Sequence, residues 1–251
     1  MQDNKLSLKN VTALILASGD AERLSSLNLN SPKCLIEFNG VPFIKYLMHW
    51  LRYQGMERFV ITTQEKFSLS MEEFINLHAP LNTTLITEKT AVNTAHSSLA
   101  GLKTILTPTT LLIVADSIFD VDLKKMYASH KNHDALVTAL VSNREGLPDY
   151  PVLVSADNQC LTMCNRESTD QDFHSASTIG LYFVDTMALM KAINLSDTEI
   201  NKEPVERLLP RVYAFWYADT YYDFGTPANL EWLQKHPEFI QSRYGYLHIN
   251  K

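Results

Sequence analysis

Short apolar runs alternate with longer amphipathic segments along the first half of this chain. Four runs are apolar or rich in β-branched residues and are typical of buried strands, at 11–16, 59–63, 84–87 and 111–115. Segments with apolar residues at helical spacing lie between and after them, at 42–53, 71–77, 93–106 and 121–128. This alternation predicts an α/β fold with a Rossmann-like, doubly wound and mostly parallel sheet.

The pattern changes after about residue 134. Strands predicted at 135–142, 152–155 and 178–184 are joined by polar loops instead of full helices, which predicts a partly antiparallel extension for a second substrate. Helices are predicted again at 186–193, 203–209 and 228–236. No Pro/Gly/Ser-rich linker divides the chain. We therefore expect one domain over 1–251, with halves at 11–133 and 134–236 and a tail at 237–251 that docks on the body or on a partner.

Composition narrows the function further. The 251 residues include 22 Lys and Arg against 28 Asp and Glu, a formal charge of −6, which disfavours nucleic acid as a partner. No apolar run reaches the ~20 residues of a membrane span, and the polar first ten residues do not suggest a signal peptide. Three cysteines are too few for a disulfide framework, so we expect buried thiols and a cytoplasmic location.

Ligands of open α/β sheets bind beyond the carboxyl ends of the strands. Small or polar residues follow the first strand, namely Ala17, Ser18, Gly19, Asp20, Ala21 and Glu22. Such residues let backbone N–H groups approach an anion, and Arg23 and Lys33 add positive charge nearby. An exposed loop with scattered charges is the alternative that this loop alone leaves open.

Two acidic residues lie in other loops that could face a ligand. Asp116 closes the apolar strand at 111–115, and Asp223 lies in the turn that contains Gly225 and Pro227. Carboxylates suit Mg²⁺, so these two acids together with ligand phosphate oxygens would complete a magnesium site if the fold brings them together. The alternative is helix capping, for which Asp120 is a better candidate than Asp116 because it lies closer to the helix at 121–128.

Taken in order, these motifs resemble those of the sugar-1-phosphate nucleotidyltransferases, and most closely the branch of heptose- and mannose-1-phosphate guanylyltransferases. The resemblance covers roughly 11–236 and rests on a degenerate Gly-rich loop ending in Arg23-Leu24, on Pro32-Lys33, on Ala91 to Ala95 with Glu88 upstream, on Val114-Ala115-Asp116, on Thr178 to Tyr182, and on Asp223 to Pro227. It implies the nucleotidyltransferase fold, which is similar to the GT-A fold. It also implies Mg²⁺-dependent transfer from a nucleoside triphosphate to a sugar 1-phosphate or related small phosphomonoester, with release of pyrophosphate.

The resemblance also implies a role for each matching residue. Arg23 and Lys33 would contact phosphates, and Asp116 and Asp223 would hold Mg²⁺. The loop from Ala17 to Glu22 would bind the nucleotide, with Glu88, Asn93 and Thr94 near the base or ribose. Arg166, Glu167, Thr178 and Gly180 would face the acceptor. The branch favours GTP, with CTP as the alternative, and implies a role in polysaccharide precursor synthesis; a homo-oligomer stays open.

Several positions depart from the family pattern. Ser18 and Ala21 replace loop glycines, Glu22 stands before the arginine, and Asn93 replaces the glycine near the base. These changes cluster where phosphates and base would bind. They motivate an alternative hypothesis, a catalytically silent module that binds a nucleotide or nucleotide sugar. A dinucleotide-dependent oxidoreductase is disfavoured, because Gly19 is the only glycine of the first turn.

Overall fold

A computed structural model describes residues 7–18, 31–89, 93–144, 147, 150–163, 173–217 and 221–249. Its strands are β1 (Val11–Leu16), β2 (Glu37–Phe38), β3 (Val41–Pro42), β4 (Arg58–Gln64), β5 (Thr83–Glu88), β6 (Thr109–Val114), β7 (Ser117–Ile118), β8 (Val137–Ser142), β9 (Pro151–Ser155), β10 (Cys160–Thr162), β11 (Phe173–Asp185), β12 (Val212–Trp216) and β13 (Tyr222–Asp223). Its helices are α1 (Phe43–Tyr53), α2 (Ser68–His78), α3 (Thr94–Leu102), α4 (Leu123–Asn132), α5 (Thr186–Ala192), α6 (Glu203–Glu206), α7 (Pro227–Lys235) and α8 (Pro237–Tyr244).

The described strands form one large sheet and two small strand pairs. The main path of the sheet runs β10-β9-β11-β6-β1-β4-β5, and β8 joins β11 to β12. Strand β1 is parallel to β4 and β6, and β4 is parallel to β5. Strand β11 is antiparallel to β6, β8 and β9. The predicted fold class, a mostly parallel sheet with a partly antiparallel extension, is confirmed.

Apolar side chains cover both faces of the sheet. Alternate residues of β1 belong to opposite hydrophobic clusters, with Ala13 and Ile15 on one side and Leu14 and Leu16 on the other. Burial on both faces explains why the parallel strands are continuously apolar in the sequence. None of the described helices combines the length and hydropathy needed to cross a bilayer. Buried thiols are expected above all for Cys160 and Cys164, of which Cys160 is buried and Cys164 lies outside the described residues. Cys34 is buried as well, and burial raises the pKa of Cys34 and Cys160 to about 12.

Two local predictions were wrong. The helix predicted at 93–106 ends at Leu102, because the Thr104 hydroxyl donates to the carbonyl of Gly101 and competes with the helical hydrogen bonds. The cap of α4 is Asp122, whose Oδ1 accepts from the backbone N–H groups of Lys124 and Lys125 at 3.1 Å each. The helix begins two residues later than predicted, so its cap requires neither Asp116 nor Asp120.

The C-terminal tail packs on the body of the chain. Tyr244 at the end of α8 is 1% exposed, and its hydroxyl accepts from the backbone N–H of Phe119 at 3.1 Å. Its ring stacks on Tyr46 of α1, with ring centroids 6.1 Å apart. The loop that follows β7 is thus attached to the last helix of the chain.

Replacing Tyr244 by Phe should lower the free energy of unfolding by about 1–3 kcal/mol, because the Phe119 N–H would stay buried without a partner. Chemical denaturation measures the loss. Tyr246→Phe is the matched control, since that ring is 42% exposed, and it should change little. Equal effects of the two substitutions would contradict a specific role for the Tyr244 hydroxyl.

Candidate active site

A cavity of about 580 Å³ opens at the carboxyl ends of β1 and β6. Ala17 and Ser18 follow β1, and Ala115 and Asp116 follow β6, in the first turns after two adjacent parallel strands. The volume lies in the range of small-molecule sites. The cavity brings together nine of the residues proposed from the sequence, namely Ala17, Ser18, Lys33, Asn93, Thr94, Asp116, Thr178, Gly180 and Asp223.

The two candidate metal ligands are brought together by a pair of short strands. Strands β7 and β13 are antiparallel, with Ser117 opposite Asp223. The backbone N–H of Phe224 donates to the carbonyl of Asp116 at 3.1 Å. Phe224 itself is fully buried and packs edge-on against Phe43, with ring centroids 4.8 Å apart. These contacts fix the turn that carries Asp223 beside the end of β6.

Gly225 lies among three charged side chains. A Cβ atom added there would lie 3.1 Å from Asp223 Oδ1, 3.4 Å from Asp116 Oδ2 and 4.0 Å from Lys33 Nζ. Lys33 Nζ is 3.8 Å from Asp116 Oδ2, and the lysine side chain is only 12% exposed. One ammonium group and two carboxylates therefore converge at a position where an added Cβ would lie in tight contact with both carboxylates.

Tyr221 contacts the residue that follows Asp116. Its hydroxyl lies 3.0 Å from the Ser117 hydroxyl and lines the cavity. Burial, followed by the negative charge of Asp223, raises its pKa well above the ordinary value for tyrosine. The phenol therefore stays neutral and holds β7 to the segment that precedes β13.

Glu88, which is predicted near the base or ribose, forms hydrogen bonds beside the end of β1. Its Oε2 accepts from the hydroxyls of Ser18 and Ser97 at 2.7 Å each. The Gln64 amide adds a third bond, donating to the carbonyl of Ser18 at 2.8 Å. We call Ser18, Gln64, Glu88 and Ser97 the loop clamp. It fixes the first residues after β1 to β4, β5 and α3.

The other proposed binding residues occupy structurally constrained positions. Asn93 caps α3 through its Oδ1, which accepts from the His96 N–H at 3.0 Å. Gly180 has φ +79°, and a Cβ there would lie 2.6 Å from a methyl of Val114. Glycine is thus required where β11 crosses the cavity. Gly19, Asp20, Ala21, Glu22, Arg23, Arg166 and Glu167 lie outside the described residues.

Sequence reasoning missed part of the cavity wall. Tyr150 lines it, as do the residues from Thr198 to Asn201, which lie between α5 and α6. They come from distant parts of the second half of the chain and carry no short motif. Only the fold of the sheet brings them to the cavity.

Comparison with known proteins gives a consistent picture. A family model described as nucleotidyl transferase matches residues 12–227. A D-glycero-alpha-D-manno-heptose 1-phosphate guanylyltransferase from Aneurinibacillus thermoaerophilus is 23% identical over 89% of this chain and 96% of its own length. A mannose-1-phosphate guanylyltransferase catalytic subunit beta from Drosophila melanogaster is 27% identical over 86% of this chain, which spans only 60% of that protein. The crystal structure of HddC from Yersinia pseudotuberculosis has the same fold, with a TM-score of 0.73 at 19% identity over 90% of this chain and 98% of that one.

The loop clamp can be tested by a double-mutant cycle. Ser18→Ala and Glu88→Ala should couple by more than about 0.5 kcal/mol in the free energy of unfolding, because both remove the same hydrogen bond. Chemical denaturation of the two single variants and the double variant measures this. Ser18→Ala combined with Ser70→Ala is the control, since the Ser70 hydroxyl donates to the carbonyl of Phe67, three residues earlier, and does not belong to the loop clamp. Additive effects in both pairs would contradict the clamp.

Proposed function

The chain belongs to the nucleotidyl transferase family, and we propose that it transfers a nucleotidyl group from a nucleoside triphosphate to a sugar 1-phosphate or a related small phosphomonoester. The products would be pyrophosphate and a nucleoside-diphosphate-activated precursor. The membership agrees with the motif order found in the sequence. The alignment with the heptose 1-phosphate guanylyltransferase covers 89% of this chain and 96% of that relative, which supports the same type of transfer.

The observation that carries this proposal is the convergence of Lys33, Asp116 and Asp223 around Gly225 inside the cavity. In such a transfer, an oxygen of the acceptor phosphate attacks the α-phosphorus in line with the leaving pyrophosphate. Phosphate monoesters have a second pKa near 6 and are largely ionised at pH 7, so the attacking oxygen needs no general base. The protein has to position two polyanions and offset the charge that accumulates between them.

Lys33 is suited to that task. The Lys33 side chain is largely shielded from solvent, and its ammonium group lies 3.8 Å from Asp116 Oδ2. This contact keeps the ammonium group in the cavity, at the carboxyl end of β6. From there it would donate to a phosphate oxygen of either substrate. Arg23, which precedes Lys33 in the sequence, would bind the triphosphate.

The carboxylate pair fits Mg²⁺. Asp116 and Asp223 both lie close to Gly225 and would supply two carboxylate ligands, with other oxygens in the remaining positions. That donor set is characteristic of Mg²⁺ at phosphate sites, where the ion keeps waters and takes ligand phosphate oxygens. Asp116 and Asp223 would hold the ion, and it would offset negative charge on the phosphates.

GTP is the proposed donor, with CTP as the alternative. The guanylyltransferase names of the two curated relatives support GTP. Asn93 and Thr94 lie at the cavity wall where the base or ribose would bind. The silent nucleotide-binding module remains the second candidate, and it is favoured by the substitutions at Ala21 and Glu22. The substitutions at Ser18 and Asn93 weigh less, because Ser18 bonds to Glu88 and Asn93 caps α3.

Lys33→Ala or Asp116→Asn should lower pyrophosphate release at least a hundredfold, because each removes a charge from the point of reaction. The assay combines ATP, CTP, GTP or UTP with a panel of sugar 1-phosphates and Mg²⁺, and circular dichroism checks that the fold is kept. Lys103→Ala, a change at an exposed residue outside the cavity, is the control and should keep the wild-type rate. Wild-type turnover in either site variant would refute the assigned roles. A triphosphate that binds without release from any acceptor would favour the silent module.

Gly225→Ala should weaken Mg²⁺ binding, because its methyl group would lie within 3.4 Å of both carboxylates. The readout is the thermal midpoint with a triphosphate, measured with and without Mg²⁺. We expect the variant to lose most of the increment that depends on Mg²⁺ while its midpoint without ligand stays within a few degrees of the wild type. An undiminished increment would show that the ion binds elsewhere.

A further inference from the structure

The wall that sequence reasoning missed is firmly attached to the rest of the fold. The carbonyl of Thr198 accepts from the Ala95 N–H at 3.4 Å, and the Ile200 N–H donates to the Thr94 hydroxyl at 3.1 Å. Just before it, buried Asp197 forms a two-pronged ion pair with Arg207, at 2.6 and 2.8 Å. This pairing holds the pKa of Asp197 below its usual range, so the carboxylate stays charged at neutral pH. The wall is fixed on one side to α3 and on the other to the end of α6.

Two polar atoms of this wall lack hydrogen bonds. Asn201 is 7% exposed, and its Nδ2 has no partner within the described part of the chain. The same holds for Oε2 of Glu199, whose other oxygen lies 3.2 Å from Lys202 Nζ. Both residues line the cavity that contains Lys33 and the carboxylate pair. A buried polar group without a partner costs folding free energy, so two of them in one cavity wall point to a ligand.

We propose that Asn201 and Glu199 form a site for the hydroxyl groups of a sugar ring, an inference that rests on the proposed function. The amide nitrogen can only donate a hydrogen bond, and a carboxylate oxygen accepts one. A hydroxyl group does both. Two neighbouring hydroxyls of one ring would therefore satisfy both atoms, one accepting from Asn201 and the other donating to Glu199.

The same pair of atoms disfavours an acceptor that carries an ammonium group. Such a cation would match the charge of Glu199 but would leave the Asn201 donor unpaired beside a positive charge. Phosphocholine has a phosphate and a quaternary ammonium and lacks ring hydroxyls. It is therefore a suitable negative probe.

Ring hydroxyls could come from the ribose of the triphosphate or from the ring of the acceptor, and the chemistry of the site is the same for both. The wall contacts Thr94 and Ala95 of α3, near the predicted ribose position, and lines the same cavity as Thr178 and Gly180, which are predicted to face the acceptor. The experiment has one arm for each source.

The test measures binding to the full chain by isothermal titration, with the thermal midpoint of each unliganded protein recorded alongside. The probes are pyrophosphate, the four triphosphates with their 2′-deoxy and 3′-deoxy forms, mannose 1-phosphate, glucose 1-phosphate and phosphocholine. The variants are Asn201→Ala and the isosteric Asn201→Asp, which lacks the donor. Asn194→Ala is the matched control, because it truncates an exposed amide in the same connection outside the cavity.

We expect both Asn201 variants to bind one class of sugar-bearing probe about tenfold more weakly while the Kd of pyrophosphate is unchanged. If the ribose is the ligand, the variants lose the preference for the triphosphate over its deoxy form. If the acceptor ring is the ligand, triphosphate binding is unchanged and sugar-phosphate binding weakens. The unliganded midpoint of Asn201→Ala should equal or exceed that of the wild type, because the substitution removes an unpaired buried amide.

Three results would overturn the inference. One is wild-type affinity of both variants for every sugar-bearing probe. Another is a lower unliganded midpoint of Asn201→Ala with unchanged binding, which would make the amide structural. The third is binding of phosphocholine in preference to both sugar phosphates by a wild type that binds each triphosphate and its deoxy forms equally well. Each of these leaves the proposed transfer standing if the wild type releases pyrophosphate, whereas a wild type that binds none of the probes would end both.

Discussion

The site depends on keeping two like charges close together at the end of a sheet. Asp116 and Asp223 both lie close to Gly225, and Lys33 Nζ lies 3.8 Å from Asp116 Oδ2. Neighbouring carboxylates repel each other, so the surrounding structure has to hold them in place. It does so with the backbone pairing of β7 and β13, the buried ring of Phe224 and the Tyr221 hydroxyl, and these contacts are all neutral. A site held by neutral contacts can keep its charges available for a ligand.

The same logic extends to the C-terminal helices. Helix α7 begins at Pro227, directly after the turn that contains Gly225, and α8 returns Tyr244 to the backbone of Phe119. Asp120 lies 3.6 Å from Arg243 of α8, a weaker surface contact between the same segments. The loop that follows Asp116 is thus attached to helix α8 through Phe119 and Asp120. Packing far from the cavity therefore determines the geometry of the carboxylates inside it.

The sequence was most informative where one element alone determines the outcome. Continuous apolar strands predicted the parallel sheet, and Asp116 after such a strand predicted a carboxylate at the ligand-binding edge. It was less informative where the outcome depends on partners distant in sequence. Asp122 instead of Asp120 caps α4 because the helix begins later than its pattern, and Glu88 holds serines because Ser18 and Ser97 happen to face it. The wall at Asn201 has no motif, and only its missing hydrogen bonds distinguish it.

These placements change the weight of the departures from the family pattern. Ser18 replaces a glycine, but its side chain is bonded to Glu88, and Asn93 replaces another but caps α3. Each substitution therefore contributes a contact that glycine could not make, and a substitution with such a role is no sign of decay. A chain that had lost its ligands would also have little reason to retain a buried, unpaired amide at Asn201, since such a group costs folding free energy and returns nothing without a partner. The retained cost and the converging charges both favour a cavity that still binds its substrates.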